Sequence, residues 1–300
     1  MRGKILKSIG LFIVSLIFTG IIFVFEVKEW PVGSSLSGIA LGFALPALFH
    51  SLQDWFDTTD WKVSLRKLKR GKFVDDNTIV RISFAYLYRI KVGNKYLLVP
   101  NKRGTGKFQP VGGVYKFYAD EATELKNRFH VMDDNKISID ESSRDDYRLR
   151  LEIKYLRKFV NRFNRKACRE NIENLGREFN EELVETGIVN WDQIRYRVCG
   201  RHMTEVKYGE HFQMYELLLA DIVELLPTKE QEKDLQRLAA QTSESYKFYS
   251  AHEIDSLGVD TEACQLQETV ADHTKKILQE NESQLMKVHS MGNEFTVHLR

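Results

Sequence analysis

Three glutamates near the middle of the chain are spaced in a way that could bind a metal ion. Glu178, Glu181 and Glu182 stand at i, i+3 and i+4, so a helix would carry all three on one face. Carboxylates this close repel one another and raise one another's pKa. A hard cation such as Mg²⁺ relieves that repulsion, because it prefers oxygen ligands and usually also holds substrate phosphates. The alternative is an ordinary acidic helix surface.

Four further residues are candidates for ligand binding. Gly112 and Gly113 lie inside the strand-like segment 107–118, where paired glycines indicate a bend or a close approach of two backbones. Arg201 and His202 follow a predicted strand and are candidate contacts for phosphate. All four are therefore predicted to lie at one ligand site.

Two aromatic residues flank the paired glycines. Phe108 and Tyr115 could stack on a nucleotide base, as aromatic side chains do in many nucleic-acid-binding proteins. Packing in the core is the alternative, and it is the commoner role for such residues.

Several other kinds of chemistry find no support in the sequence. The eight histidines include no H-E-x-x-H motif and the three cysteines no C-x-x-C pair, so we expect neither a zinc site nor a disulfide framework. Widely spaced free cysteines are typical of a reducing compartment. The composition, 43% hydrophobic and 29% charged, is that of a folded protein. With a formal net charge of only +2, no direct DNA or RNA partner is expected.

The elements that must position these residues are predicted from hydrophobic periodicity. Residues 78–100 read as two strands joined at Gly93-Asn94, because apolar and polar residues alternate. Residues 145–185 read as helix, with basic residues around an apolar seam. The basic faces are either solvated or turned toward phosphate or a membrane. The seam consists of Leu149, Ile153, Leu156, Val160, Phe163 and Ala167.

The remaining pattern predicts a mixed α/β domain. Strands are expected at 194–200, 211–223 and 246–250, and helices at 229–241 and 261–280. Residues 295–299 could add an edge strand or stay loose. Strands that alternate with helices in this way predict a mixed sheet in an α/β/α sandwich.

The N-terminal region predicts a transmembrane hairpin. Residues 8–25 carry no charge, and residues 31–51 carry no Lys, Arg, Asp or Glu, so we predict spans at about 8–28 and 31–51. A cleaved signal peptide is the alternative for the first span, but no small-residue cleavage site follows it. Basic residues precede the first span and follow the second, which places both termini in the cytoplasm. One face of the second span is predicted to mediate self-association through Ser34, Gly38, Gly42 and Pro46.

These elements divide the chain into four parts. Residues 1–51 form the hairpin and 52–77 a basic juxtamembrane linker. Residues 78–280 form the α/β domain, with a predicted insertion at 118–170, and 281–300 form a C-terminal tail.

The segment around the glutamates resembles the Nudix family. Residues 177–182 (REFNEE) match the REUxEE core of that family's motif, Gly187-Ile188 resembles its closing glycine after three extra residues, and Gly112-Gly113 resembles its paired glycines. The resemblance implies that Glu178, Glu181 and Glu182 bind Mg²⁺ and that Arg177 orients the helix by an internal ion pair. About 60 residues separate the glycines from this core, where the family has a short loop. The motif's first glutamate has no counterpart in register, because Glu170 is one residue out and Glu121 and Glu124 are at the wrong spacing.

The whole architecture resembles the two-transmembrane Nudix effectors of bacterial CBASS anti-phage systems, which carry a SMODS-associated Nudix domain. That resemblance implies a homo-oligomeric inner-membrane protein whose soluble domain binds a cyclic oligonucleotide and whose hairpin then disrupts the lipid bilayer. The sequence leaves two alternatives, a membrane-anchored Mg²⁺-dependent hydrolase of a nucleoside diphosphate derivative and a scaffold with a decayed Nudix fold. Whether the protein is an enzyme is left open, with a nucleotide sensor favoured.

Overall fold

The structure is a computed structural model that divides into two compact units, residues 1–62 and 63–300, which are described separately. It describes residues 2–28, 30, 33, 35, 39, 42, 60–102, 104–136, 143–165, 169–259 and 267–299.

The first unit contains helix α1 (Arg2–Val27), which covers most of the first predicted span. Large apolar side chains such as Phe12, Leu16 and Phe23 are exposed on it. Within the residues that the structure describes, no helix has the combined length and apolarity that a membrane crossing requires. The second predicted span lies mostly outside those residues, so the hairpin stays a prediction.

The second unit is built around two sheets. The helices are α2 (Asp60–Arg70), which begins in the first unit, α3 (Ala119–Phe129), α4 (Ile153–Asn164), α5 (Arg177–Phe179), α6 (Lys229–Ala239) and α7 (Ala251–Asp255). The strands are β1 (Ile79–Arg89), β2 (Lys91–Val92), β3 (Lys95–Pro100), β4 (Phe108–Gln109), β5 (Gly112–Val114), β6 (Met132–Asp133), β7 (Arg148–Glu152), β8 (Gln193–Met203), β9 (Lys207–Gly209), β10 (Met214–Leu225), β11 (Lys247–Ser250) and β12 (Glu294–His298).

The larger sheet has eight strands, with a main order of β12-β8-β10-β1-β7-β6. β5 also pairs with β1, and β9 pairs with β10. The central pair, β1 and β10, is parallel, and the other pairs are antiparallel. The smaller sheet consists of β2, β3, β4 and β11. A mixed sheet within an α/β domain was predicted, and the structure confirms it.

The two faces of β1 have different neighbours, because side chains alternate across a strand. On one face Phe84 packs against Phe163 of α4, with ring centroids 4.7 Å apart, and Tyr88 packs against Phe179 of α5 at 5.4 Å. On the other face Leu87 belongs to a buried cluster with Tyr96 and Leu98 of the smaller sheet. The larger sheet therefore lies between a helical layer and a second layer made by the smaller sheet and the C-terminal turns, which corrects the α/β/α sandwich that the sequence predicted.

The prediction of one long helix over 145–185 is wrong. Residues 148–152 form β7, in which Leu149 and Leu151 pair with Ile82 and Val80 of β1. α4 then runs from Ile153 to Asn164, and the next helical residues begin at Arg177. Leu149 fits a period of two as well as the helical seam, and the hydrogen-bonding edge of β1 decides for the strand. The predicted insertion at 118–170 thus contributes β6 and β7 to the larger sheet.

The C-terminal elements correct one prediction and confirm two. The described part of the predicted helix 261–280 forms a 3₁₀ turn at Asp272–Ile277, and another turn follows at Gln279–Gln284. β12 pairs with β8 as an edge strand. Of the two alternatives given for residues 295–299, the edge strand is therefore the one that the structure shows. α6 lies within the predicted helix 229–241. It begins directly after Thr228, which forms a capping box with Gln231.

Candidate functional site

The three glutamates of the predicted metal site (hereafter the carboxylate cluster: Glu178, Glu181 and Glu182) lie on a short helix that widens after its first turn. α5 is followed by a π-helical turn at Asn180–Val184, in which the Glu185 amide donates to the Asn180 carbonyl at 2.9 Å. Single π turns are rare and are frequent at functional sites. Phe179 and Leu183 anchor the turn in the core. Gly187, at φ +73°, adopts a left-handed conformation beyond it.

The paired glycines bring β5 into contact with the carboxylate cluster. A Cβ at Gly113 would lie 1.9 Å from Glu178 Oε1, and one at Gly112 would lie 2.3 Å from the Tyr86 carbonyl oxygen of β1. Gly112 also has a φ of +148°, and its amide donates to Glu182 Oε2 at 3.1 Å. Gly112 must be glycine because of its φ and the backbone contact, whereas a side chain at Gly113 would force Glu178 to move, so the two glycines let the strand approach the carboxylates.

The carboxylates of the cluster differ in exposure and in charge state. Glu182 is 5% exposed, and burial, reinforced by repulsion from Glu178, raises its pKa to about 8. Burial also raises the pKa of Glu178, whereas the Arg177 guanidinium opposes that rise. Lys102 Nζ lies 3.7 Å from Glu182 Oε1 and 3.9 Å from Glu181 Oε2. The cluster is therefore short of positive charge at neutral pH.

The internal ion pair expected for Arg177 is present. Its guanidinium donates to Glu178 Oε1 at 2.5 Å, to Glu170 Oε1 at 3.3 Å and to the Val114 carbonyl of β5 at 3.0 Å. Glu170, although one residue out of register in the motif, thus reaches the position next to the motif arginine. Glu121 is one of the two other glutamates considered for this position. Its carboxylate instead accepts hydrogen bonds from Arg162 of α4 at 2.6 and 2.7 Å.

A cavity of about 660 Å³ (hereafter the β1/β10 cavity) opens beside the carboxylate cluster. Its volume is in the range of small-molecule sites. The small side chains Ser83 and Ala85 of β1 leave the room for it, on the face opposite Phe84. It is lined by Arg81, Ser83, Ala85, Leu87, Asn101, Lys102, Gln109, Pro110, Gly112, Gly113, Val114, Ser143, Asp146, Arg148, Glu178, Leu218, Leu219, Ala220, His273 and Lys276.

Arg201 and His202, the other two predicted ligand contacts, have protein partners. Arg201 donates to both Asp221 oxygens, at 2.6 and 2.8 Å, and to Asn164 Oδ1 at 2.7 Å. His202 Nε2 lies 3.1 Å from the Lys276 carbonyl oxygen, and burial lowers the pKa of its imidazole. Neither is among the residues that line the β1/β10 cavity, so a direct ligand contact by either one stays a prediction.

Phe108 and Tyr115 pack in the core. Tyr115 is fully buried and its hydroxyl donates to Asp221 at 2.8 Å, while Phe108 packs against Tyr249 with ring centroids 6.0 Å apart. The core role is the one that the structure shows for both.

The predicted small-residue face in the N-terminal region is only partly visible. Ser34, Gly38 and Pro46 lie outside the described residues. At Gly42 an added Cβ would meet nothing within 4 Å. Association through this face stays a prediction.

The carboxylate cluster suits a hard cation in its donor chemistry. Its oxygens are the ligands that Mg²⁺ prefers, and the raised pKa of buried Glu182 shows a site that a cation would relieve. Among the described residues, no three His, Cys, Asp or Glu side chains are already gathered closely enough to hold a metal ion. Mg²⁺ binding therefore stays a prediction for Glu178, Glu181 and Glu182.

Sequence reasoning missed several residues of the cavity. Arg81 and Ser83 counted only as the polar residues of an alternating strand, although a pair of small residues within a strand, Ser83 and Ala85, could have indicated a close approach by a ligand. Lys102 lies in a polar loop and Lys276 lies in a segment predicted to be helix, and neither position marked the lysine as a candidate site residue. Nothing in the sequence alone connects Lys276 with β1.

The comparison with protein families agrees with the geometry. The family model described as SMODS-associated NUDIX domain matches residues 79–278, more than half of the chain. None of the curated proteins compared with the chain matches it. The matched segment begins at β1 and ends just beyond the 3₁₀ turn at Asp272–Ile277, and it contains the carboxylate cluster, the paired glycines and all the residues of the β1/β10 cavity. The chain belongs to the family of SMODS-associated Nudix domains.

Proposed function

We propose that this protein is the membrane effector of a bacterial anti-phage signalling system and that its Nudix domain binds a cyclic oligonucleotide. The observation that carries the proposal is the β1/β10 cavity of about 660 Å³ in a domain of this family. Apolar side chains of β1 and β10, such as Leu87 and Leu218, could hold a base, and basic side chains at its margin could hold phosphates.

The charge balance of the cluster favours a sensor over a hydrolase. Arg177 holds Glu178 at 2.5 Å, and Lys102 approaches both Glu181 and Glu182. Two protein cations thus lie beside the three predicted metal ligands, and Lys102 is shared between two of the carboxylates. A domain that only has to bind its ligand can keep this arrangement, whereas a metal-dependent enzyme must displace Lys102 to load its cation.

The membrane part of the proposal is carried by the sequence. Residues 8–25 contain no charged side chain, and α1 exposes apolar side chains between Phe12 and Val27. We infer an inner-membrane hairpin with both termini in the cytoplasm, whose self-association follows ligand binding in the soluble domain. Such coupling requires that the ligand bind the assembled state more tightly than the free state.

A second function, an Mg²⁺-dependent Nudix hydrolase, is favoured by one observation. The pKa of Glu182 is raised to about 8, which suits either a metal ligand or a general base near neutral pH. Glu178, Glu181 and Glu182 would hold the cation, and its charge would stabilise the phosphate leaving group when water cleaves the pyrophosphate linkage of a nucleoside diphosphate derivative.

Thermal denaturation and product analysis separate the two functions. The full-length chain in lipid nanodiscs would be incubated with cyclic dinucleotides and trinucleotides or with nucleoside diphosphate derivatives, with and without Mg²⁺. We expect one cyclic nucleotide to raise the Tm without Mg²⁺ and without any product by chromatography. Turnover that requires Mg²⁺ and is lost in Glu181→Gln, but kept in the surface control Arg237→Ala, would overturn the sensor. If no cyclic nucleotide raises the Tm, the proposal is wrong.

A further inference from the structure

Lys276 carries a half-buried ammonium group, and the residues that the structure describes give it no hydrogen bond or ion pair. It belongs to the 3₁₀ turn at Asp272–Ile277, and it lines the β1/β10 cavity. Burial lowers its pKa, attraction from Asp272 partly offsets that effect, and Lys207 repels it. Among the described residues, none forms a hydrogen bond or ion pair with its Nζ. A half-buried ammonium has lost part of its hydration, and a ligand anion would replace what it has lost.

The other cations that line the cavity are already neutralised. Each has a carboxylate within ion-pair distance: Arg81 has Asp134 at 2.7 Å, Arg148 has Asp146 at 3.5 Å, and Lys102 has Glu182 at 3.7 Å. Within the part of the chain that the structure describes, Lys276 is the one cation lining the cavity that lacks such a carboxylate. An anion that enters the cavity therefore gains most from this ammonium, because none of the described carboxylates lies within ion-pair distance of it and Asp272 attracts it only from farther away.

The backbone of Lys276 is held firmly. His202 Nε2 lies 3.1 Å from its carbonyl oxygen, and the fully buried Arg89 donates from Nε to the next carbonyl, that of Ile277, at 2.6 Å. Ile277 itself is buried in the cluster between the two sheets. The ammonium is thus carried by a turn that is fixed before any ligand arrives, which reduces the entropic cost of binding.

We propose that Lys276 is a phosphate-binding residue of the β1/β10 cavity and that His202 is a positioning residue for it. The identity of the ligand as a nucleotide rests on the proposed function, whereas the anion site itself does not. In this arrangement a phosphate contacts Lys276 while the rest of the ligand lies along β1 and β10 toward Gly113 and Glu178.

Binding of inorganic pyrophosphate to the full-length chain tests this assignment. Calorimetry would be done in EDTA, so that no metal bridges the probe to the carboxylate cluster. A charge-assisted hydrogen bond contributes about 1.5–3 kcal/mol, so we expect Lys276→Met to weaken pyrophosphate binding about 10- to 100-fold. Lys276→Arg should retain most of the affinity. Lys275→Met is the matched control, since it removes a lysine from the same turn that does not line the cavity, and it should bind as the wild type does.

Stability separates this role from a structural one. Because none of the described residues pairs with the ammonium, Lys276→Met should leave the Tm unchanged or raise it, whereas loss of a structural lysine would lower it. His202→Ala should weaken pyrophosphate binding less than Lys276→Met does. The assignment fails if the wild type does not bind pyrophosphate. It also fails if Lys276→Met and Lys275→Met weaken pyrophosphate binding equally.

The same variants separate this assignment from the proposed function. If a cyclic oligonucleotide binds and its affinity is unchanged in Lys276→Met, the phosphate site is wrong and the sensor stands. If pyrophosphate binds through Lys276 but no cyclic oligonucleotide binds, the sensor is wrong and the phosphate site stands.

Discussion

Two buried groups of charges in the domain differ in how fully their members are paired. Asp221 accepts two hydrogen bonds from Arg201 and one from the Tyr115 hydroxyl, and it is 1% exposed. Both carboxylate oxygens of Asp221 therefore accept hydrogen bonds from other residues of the protein. Glu182, 5% exposed, accepts from the Gly112 amide and has Lys102 only at 3.7 Å, and its pKa is raised to about 8.

This difference in pairing shows which of the two groups, the Asp221 group or the carboxylate cluster, is structural. Asp221 lies on β10 and the carboxylate cluster on α5 and the turn after it, and both groups are composed of residue types that occur at active sites. Full pairing makes the Asp221 group a support of the core, because nothing remains for a ligand to bind. Incomplete pairing beside a cavity makes the carboxylate cluster the candidate site.

The largest effect is expected at Asp221. Asp221→Ala leaves the Arg201 guanidinium and the Tyr115 hydroxyl buried without their acceptor, which should cost about 3–5 kcal/mol of unfolding free energy. Urea denaturation of the full-length chain measures the loss. The control Arg237→Ala breaks an exposed pair with Asp234 and should change stability by less than about 1 kcal/mol. Equal losses in the two variants would contradict the structural role of Asp221.

The next effect is a pH dependence centred on Glu182. Its pKa rises from 4.5 in the unfolded chain to about 8 in the folded protein, so the folded state binds the extra proton between these values. The unfolding free energy should therefore fall as the pH rises from about 5 to 8, by at most about 4–5 kcal/mol at 1.36 kcal/mol per pKa unit.

Glu182→Gln checks that assignment. Urea denaturation at several pH values should show a flatter profile for this variant than for the wild type, since the amide does not titrate. Mg²⁺ should flatten the wild-type profile if it binds here, because a cation stabilises the ionised carboxylate. Equal slopes in Glu182→Gln and the wild type would mean that another group titrates, with Glu178 the first to test.

A smaller effect is expected from Gly113→Ala. The new methyl group would overlap Glu178 Oε1 and push that buried side chain away from Arg177, at a cost of about 1–3 kcal/mol. The double variant Gly113→Ala/Glu178→Ala should recover part of this loss, as measured by a double-mutant cycle in urea. At Gly112 the clash is with the Tyr86 carbonyl of β1, so Glu178→Ala should not rescue Gly112→Ala. Rescue of both glycine variants, or of neither, would contradict this contact.

The smallest effect on stability is expected from Lys102→Met. Its side chain is 57% exposed and approaches Glu182 only at 3.7 Å, so its loss should change the unfolding free energy by less than about 1 kcal/mol at neutral pH. It should nevertheless move the pH profile of Glu182 to higher pH, because Lys102 lowers the pKa of that carboxyl. An unchanged pH profile would show that Lys102 does not act on the carboxyl of Glu182.

Local patterns in the sequence determined much of the scaffold. The alternation in β1, the capping box at Thr228 and the REFNEE segment each depend on residues within a few positions of one another, and the structure contains all three features. The same local reasoning was wrong at residues 148–152, where Leu149 and Leu151 fit a strand and Leu149 also fits a helix. The pairing edge of β1, which is distant in the sequence, decided between them.

The tertiary structure alone decided which charges are available. Arg201 and Lys276 are both basic residues that the sequence cannot rank, and the sequence favoured Arg201. Folding places Arg201 against Asp221, 20 residues away, and leaves Lys276 beside a cavity formed by β1 and β10. The availability of a charge depends on which partner arrives from elsewhere in the chain. A single sequence records the residue types and their spacing along the chain, but the partners are fixed only when the sheet has formed.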